Sequence, residues 1–154
     1  MIIPRAQTVL FTSDINNLKT KRIMLLFKVC RLTNYEVIID DSYATPYISH
    51  RGVEVTGFIN TCLLLDKWYP EKRLFFSENH NEDELISLSQ TLDNSLHDNS
   101  NQSNIFDFVV KTLSSKIFLM SNSVSIIDIM IVPIMELNKD VINNLVLLNY
   151  IERF

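Results

Sequence analysis

The stretch "KIFLMSNSVSIIDIMIVPIMEL", Lys116 to Leu137, sets a single carboxylate, Asp128, inside one of the most apolar runs of the chain. With Ser125 at the N-cap, Asp128 is the third residue of a helix. The Ser125 hydroxyl can then accept from the Asp128 amide, and the Asp128 carboxylate from the Ser125 amide. This is a capping box with Asp in the position usually held by Glu. Val124 before the cap and Ile129 one turn in can close a hydrophobic staple. A carboxylate that meets N–H donors at the positive end of a helix tolerates burial. No histidine or second acid lies nearby in sequence to share a proton, so Ser125 and Asp128 read as a structural pair and not as catalysts. Pro133 lies inside the same helix and removes the bond to the Ile129 carbonyl, so a bend is expected there.

On either side of this stretch the signals are helical. "NEDELISLSQTLDNSLHD" aligns Leu85, Leu88, Leu92 and Leu96 on one face, and Asn81 with Glu84 makes a second capping box. "HDNSNQSN", His97 to Asn104, reads as a polar loop, and "NIFDFVVKTLSS" and "NNLVLLNYIERF" read as helices. The first seventy residues differ. "TVLFTS" (Thr8 to Ser13) and "YEVIID" (Tyr35 to Asp40) are β-branched and apolar, and a helical pattern through Ile23, Leu26, Phe27 and Cys30 separates them. Such a β-α-β unit implies a parallel pair with a right-handed crossover. "PYISH" and "VEV" form a hairpin about Arg51-Gly52, where Gly52 supplies positive φ. A helix then runs from Thr56 to about Tyr69 and stops before Pro70. The expected organisation is an α/β unit over 1–70 and an all-α unit over 77–154, joined near "YPEKRLFFSEN".

Composition bounds the function. Of 154 residues, 47% are hydrophobic and 21% charged, which suits a folded globular chain and excludes general disorder. Net charge is -4, and the densest basic group is only Lys19, Lys21 and Arg22, so no basic stripe for nucleic acid is expected. Cys30 and Cys62 sit in apolar helical contexts and read as reduced, buried thiols. His50, His80 and His97 have no ligand-like spacing: His50 reads as a surface residue beside the turn, and no metal is expected. The N-terminus lacks the pattern of a signal peptide.

The stretch Phe118-Leu119-Met120-Ser121-Asn122-Ser123-Val124-Ser125-Ile126-Ile127-Asp128 resembles the "FLxGxxxSxAD" motif of the glutathione transferase C-terminal domain, with Ser121 at the family glycine and Ile127 at its alanine. The ending "NNLVLLNYIERF" is similar to the family's "PNLxxWxxR", and the order of elements matches across nearly the whole chain. The resemblance implies a thioredoxin-like half, with its second helix short or absent, followed by a helical bundle. It also places Pro46 at the family's cis-proline, so a cis Thr45–Pro46 bond is expected. The family's glutathione site uses a helix between the second and third strands, for which Asp41 to Thr45 is too short. Its Glu-Ser pair after the fourth strand is Thr56-Gly57 here. No cofactor and no catalytic residue is therefore expected. The alternative, a divergent transferase or thiol-dependent enzyme, would rely on Thr12 or Ser13.

Inactive glutathione transferase-like domains serve as assembly modules in aminoacyl-tRNA synthetases and their cofactors, and the chain resembles the tRNA-import members of that group. This implies a homodimer that docks to glutamyl-, glutaminyl- or methionyl-tRNA synthetase. It also implies a separate C-terminal module for tRNA, and a membrane-associated protein with this domain on the cytosolic side. The resemblance offers Asn149, Tyr150 and Arg153 on the last helix as one association face. Leu64 and Trp68 on the third family helix offer the other, with a core position as the competing reading for both.

Overall fold

The computed structural model describes residues 7–72, 74–75, 81–96 and 102–154. The chain divides after Pro70 into two compact units.

The first unit is a four-stranded mixed sheet with two helices. Its strands are β1 (Thr8–Thr12), β2 (Tyr35–Ile39), β3 (Tyr47–His50) and β4 (Val53–Thr56), and its helices are α1 (Leu18–Val29) and α2 (Phe58–Trp68). The strand order is β2-β1-β3-β4, so β2 and β4 are edges. β1 pairs parallel with β2 and antiparallel with β3, and β3 pairs antiparallel with β4. Alternation sets the buried face: Thr8, Leu10 and Thr12 from β1 join Ile48 and His50 from β3. Ile23, Leu26 and Phe27 of α1 and Cys62 and Leu65 of α2 complete the core.

Local chemistry starts and stops these helices. Asn17 caps α1 by accepting from the Thr20 amide at 2.8 Å. The helix ends where Arg31 takes a left-handed conformation (φ 56°) and the Leu32 amide reaches back to the Phe27 carbonyl at 2.8 Å. Arg51 and Gly52 both have positive φ, 51° and 85°, which gives the β3–β4 hairpin a turn whose twist matches its strands.

The second unit contains α3 (Glu82–Leu96), α4 (Gln102–Leu113), α5 (Ile126–Leu137) and α6 (Leu145–Ile151). Asn81 caps α3 by accepting from the Glu84 amide at 2.8 Å. The helix α5 is buried on every side from Ile126 to Met135 and runs unbroken through Pro133. It packs against α3 and α6, and α4 packs against α6. Leu85 of α3, Val109 of α4 and Tyr150 of α6 are fully buried, as are Ile131 and Met135 of α5 itself.

Three expectations require correction. The Thr45–Pro46 bond is trans, the favoured isomer for proline unless a tight turn demands otherwise. His50 is buried, not on the surface: it lies on the inward side of β3, two residues from Ile48, so strand parity overrides its closeness to the turn. The expected loop at 97–104 is already helical from Gln102, because polar residues suit the first turn of a helix. The rest of that loop, with His97, lies outside the described residues, and so does His80.

Candidate functional site

The topology gathers several chain segments at one end of the sheet. β1 and β2 run parallel, so their C-terminal residues Thr12 and Ile39 lie side by side. β3 starts beside them, with Tyr47 opposite Phe11, and β4 ends there, with Thr56 opposite Tyr47. Pro46 and Gly57 therefore belong to this same end.

Several polar groups at this sheet end bond to one another. The Thr12 side chain is fully buried, and its hydroxyl sits 2.6 Å from that of Thr20. Thr12 Oγ1 also donates to the Asp14 carbonyl at 3.2 Å. Residues 40–46 form no helix: the Asp40 amide donates to the Thr12 carbonyl at 3.0 Å, and the Asp40 carboxylate accepts from the Ser42 amide at 2.9 Å. Those Ser42 bonds, the backbone one foremost, hold the Asp40 carboxyl below its usual range. Tyr43 from this turn sets its ring edge-on to Phe11 and Tyr47, whose rings stack 4.5 Å apart. Burial first, and then Tyr43, push the Tyr47 hydroxyl above its usual pKa. Gly57 precedes α2 at φ 91° and offers no side chain to cap it.

Asp128 is the other polar centre, and it lies wholly within the second unit. Both halves of the capping box are present, with the Ser125 amide donating to Oδ2 at 2.9 Å. Two further donors come from outside the helix. The Leu119 amide reaches Oδ1 at 2.9 Å, and the Tyr150 hydroxyl donates to the same oxygen. One carboxylate thus ties the segment before α5, the first turn of α5, and α6. Burial pushes its pKa up, while its hydrogen bonds, that of Tyr150 foremost, pull it back. Burial and the Asp128 charge raise the Tyr150 hydroxyl well above its ordinary value.

No protein-family model matches the chain, and no curated protein sequence matches it. Solved structures do. A glutathione S-transferase from Caenorhabditis elegans superposes with a TM-score of 0.71 at 13% identity, covering 96% of this chain and 92% of that one. The glutathione S-transferase of Ascaris lumbricoides gives 0.70 at 14% identity, covering 96% and 90%. URE2P6 of Phanerochaete chrysosporium gives 0.66 at 16% identity, covering 96% and 98%. The chain has the glutathione transferase fold.

Within that fold the proposed site residues separate. Ser125 and Asp128 form the capping box that their spacing predicts. Pro46 is buried before β3. Thr12 is committed to Thr20, whereas Ser13 is half-buried. Tyr150 is corrected as an association residue: it has no exposed surface and serves Asp128. Asn149 and Arg153 are exposed, and Arg153 Nη1 donates to the Ile117 carbonyl. Leu64 is half-buried. Trp68 is 44% exposed and so is not core, but its face is occupied by the Arg51 guanidinium, 4.4 Å from the ring centroid. Cys30 and Cys62 are buried and form no disulfide, and burial raises the pKa of Cys62 well above its usual value. Among the described residues no three His, Cys, Asp or Glu side chains gather as metal ligands, and no helix is long and apolar enough to cross a membrane.

His50 gives the first unit a pH response. Its Nδ1 lies 2.6 Å from the Thr8 hydroxyl, and the ring lies against Trp68 and Tyr69. Burial, helped by the adjacent Arg51 charge, lowers its pKa below 6.5. The unfolded chain therefore binds the proton more readily than the folded one. The contribution of His50 is fully present above pH 6.5 and is lost as pH falls through the lowered value. Urea midpoints followed by Trp68 fluorescence should decline across that window. In His50→Gln that part of the decline should disappear.

Proposed function

We propose that this chain is a non-catalytic interaction and dimerisation domain of glutathione transferase fold, one that assembles with aminoacyl-tRNA synthetases. In sequence it resembles the N-terminal domain of the plasmodial tRNA import protein. In that reading, glutamyl-, glutaminyl- or methionyl-tRNA synthetase docks on it, a separate module binds tRNA, and the protein associates with the parasite membrane with this domain in the cytosol.

The observation that supports a non-catalytic reading is the burial of the Thr12 hydroxyl against Thr20. A thiol-activating group must reach a substrate sulfur, and geometry is the first requirement. The Thr12 hydroxyl is buried against Thr20, a tight turn stands where a helix would frame the tripeptide, and Gly57 brings no hydroxyl to the start of α2. The acidic net charge supports placing tRNA contacts elsewhere.

The second reading, a divergent glutathione transferase, draws support from the nematode neighbours, which carry that name. One experiment separates the two. The purified chain is passed over glutathione resin, assayed for conjugation of an electrophilic aryl halide, and tested for capture of synthetase glutathione transferase-like domains. The assembly reading expects no retention, no conjugation above the uncatalysed rate, and stable capture of at least one synthetase domain. Retention together with conjugation that Ser13→Ala or Thr12→Val abolishes would establish the enzyme instead.

A further inference from the structure

β2 is an edge strand whose sequence does not protect it. Natural edges carry lysine, proline or a bulge that blocks further pairing. β2 reads Tyr-Glu-Val-Ile-Ile, and Val37, Ile38 and Ile39 are 37%, 41% and 58% exposed. Apolar side chains therefore project from both of its faces. The turn at 40–46 puts no helix against them.

The hydrogen-bonding direction of the strand is fixed. The Asp40 amide donates to the Thr12 carbonyl, so even-numbered residues turn their backbone groups toward β1. Tyr35, Val37 and Ile39 turn theirs away from the sheet. We propose that this edge pairs with β2 of a second copy of the chain, antiparallel about a two-fold axis through Val37, to make one continuous sheet.

Symmetry and charge select that register. A two-fold axis normal to the sheet keeps each side chain on its own face, so the axis must pass through a residue position. Centred on Glu36, it would set that carboxylate opposite its own copy. Centred on Ile38, it would set Glu36 opposite Asp40 of the copy. Centred on Val37, it sets Glu36 opposite Ile38, Tyr35 opposite Ile39 and Val37 opposite Val37. No acid then faces an acid, and every outward backbone group of the strand finds a partner. Tyr35, whose ring already meets Phe27 of α1 at 4.7 Å, forms an aromatic and β-branched cross-strand pair with Ile39. A second copy supplies all of this without any further component.

The inference names the pairing face of the dimer in the assembly reading, and sedimentation equilibrium from about 5 to 300 µM tests it in the micromolar range expected of a short ladder. The wild type should fit a monomer–dimer equilibrium. Val37→Lys and Val37→Glu each place like charges face to face and should weaken the dimer by about tenfold or more. An equimolar mixture of the two should regain a dimer, because lysine then faces glutamate. Ile39→Pro deletes only an outward N–H, leaves the ladder to β1 intact, and should also weaken association. Circular dichroism should show the wild-type fold in each variant. A wild type that stays monomeric, a Val37→Lys chain that associates like the wild type, or a mixture that stays monomeric overturns the proposal. If Val37→Lys still dimerises and still captures synthetase domains, the edge is wrong and the assembly reading stands. If the edge pairs as described but the protein is retained on glutathione and conjugates, the assembly reading fails alone.

Discussion

Asp128→Ala should cost the second unit about 4 kcal/mol, close to the whole margin of a domain of this size. The substitution removes an acceptor that serves the Leu119 amide, the Ser125 amide, the Ser125 hydroxyl and the Tyr150 hydroxyl. A buried donor left without an acceptor costs roughly 1–3 kcal/mol, and water can reach only some of these after relaxation. Asp128→Asn should cost about half as much. Its carbonyl oxygen can keep Leu119 and Tyr150, while its NH2 group opposes the two Ser125 donors. Tyr150→Phe should cost only about 1–2 kcal/mol, since Oδ1 keeps the Leu119 amide. Urea unfolding of the three variants and of the Asp128→Ala/Tyr150→Phe double variant measures the coupling. In the double variant the Tyr150 contribution should vanish. An Asp128→Ala midpoint within about 0.5 kcal/mol of wild type would show that the carboxylate holds nothing together.

Phe27→Ala should cost the first unit about 3–5 kcal/mol, the range for emptying an aromatic position that cannot collapse. Phe27 has no exposed surface, and its carbonyl accepts the Leu32 amide that ends α1. Its ring is also the partner of Tyr35 on β2. The loss thus reaches from the α1 core to the sheet edge. Trp68 is the only tryptophan and lies in this unit, so its fluorescence reports the transition directly. Phe27→Leu should recover more than half of the loss, because most of the volume and apolar area return. Equal costs for the alanine and leucine variants would show that the ring's shape, and not its volume, is what the site requires.

The capping box could be read from residues alone because it is a local device. Ser125 and Asp128 are three positions apart, and helix geometry brings them together without help from elsewhere. The β-α-β order, the Arg51-Gly52 hairpin and the short turn after β2 were legible for the same reason: each depends on residues close in sequence. Tyr150 was not. It reaches Asp128 across twenty-two positions, and its place on a short amphipathic helix gave no sign of which face would turn inward. His50 was misread because nearness to a turn was weighed above the parity of a strand.

The sequence by itself determined the order of strands and helices and the helix starts set by Asn81 and Ser125. Periodicity, caps and charge are properties of neighbouring residues and survive without a fold. Only the tertiary structure decided that Thr12 is sealed by Thr20, that Asp128 is held by four donors, and that β2 ends the sheet with its apolar residues uncovered. These depend on which segments meet, and that is settled by packing distant apolar faces together, an outcome that short-range pattern does not encode.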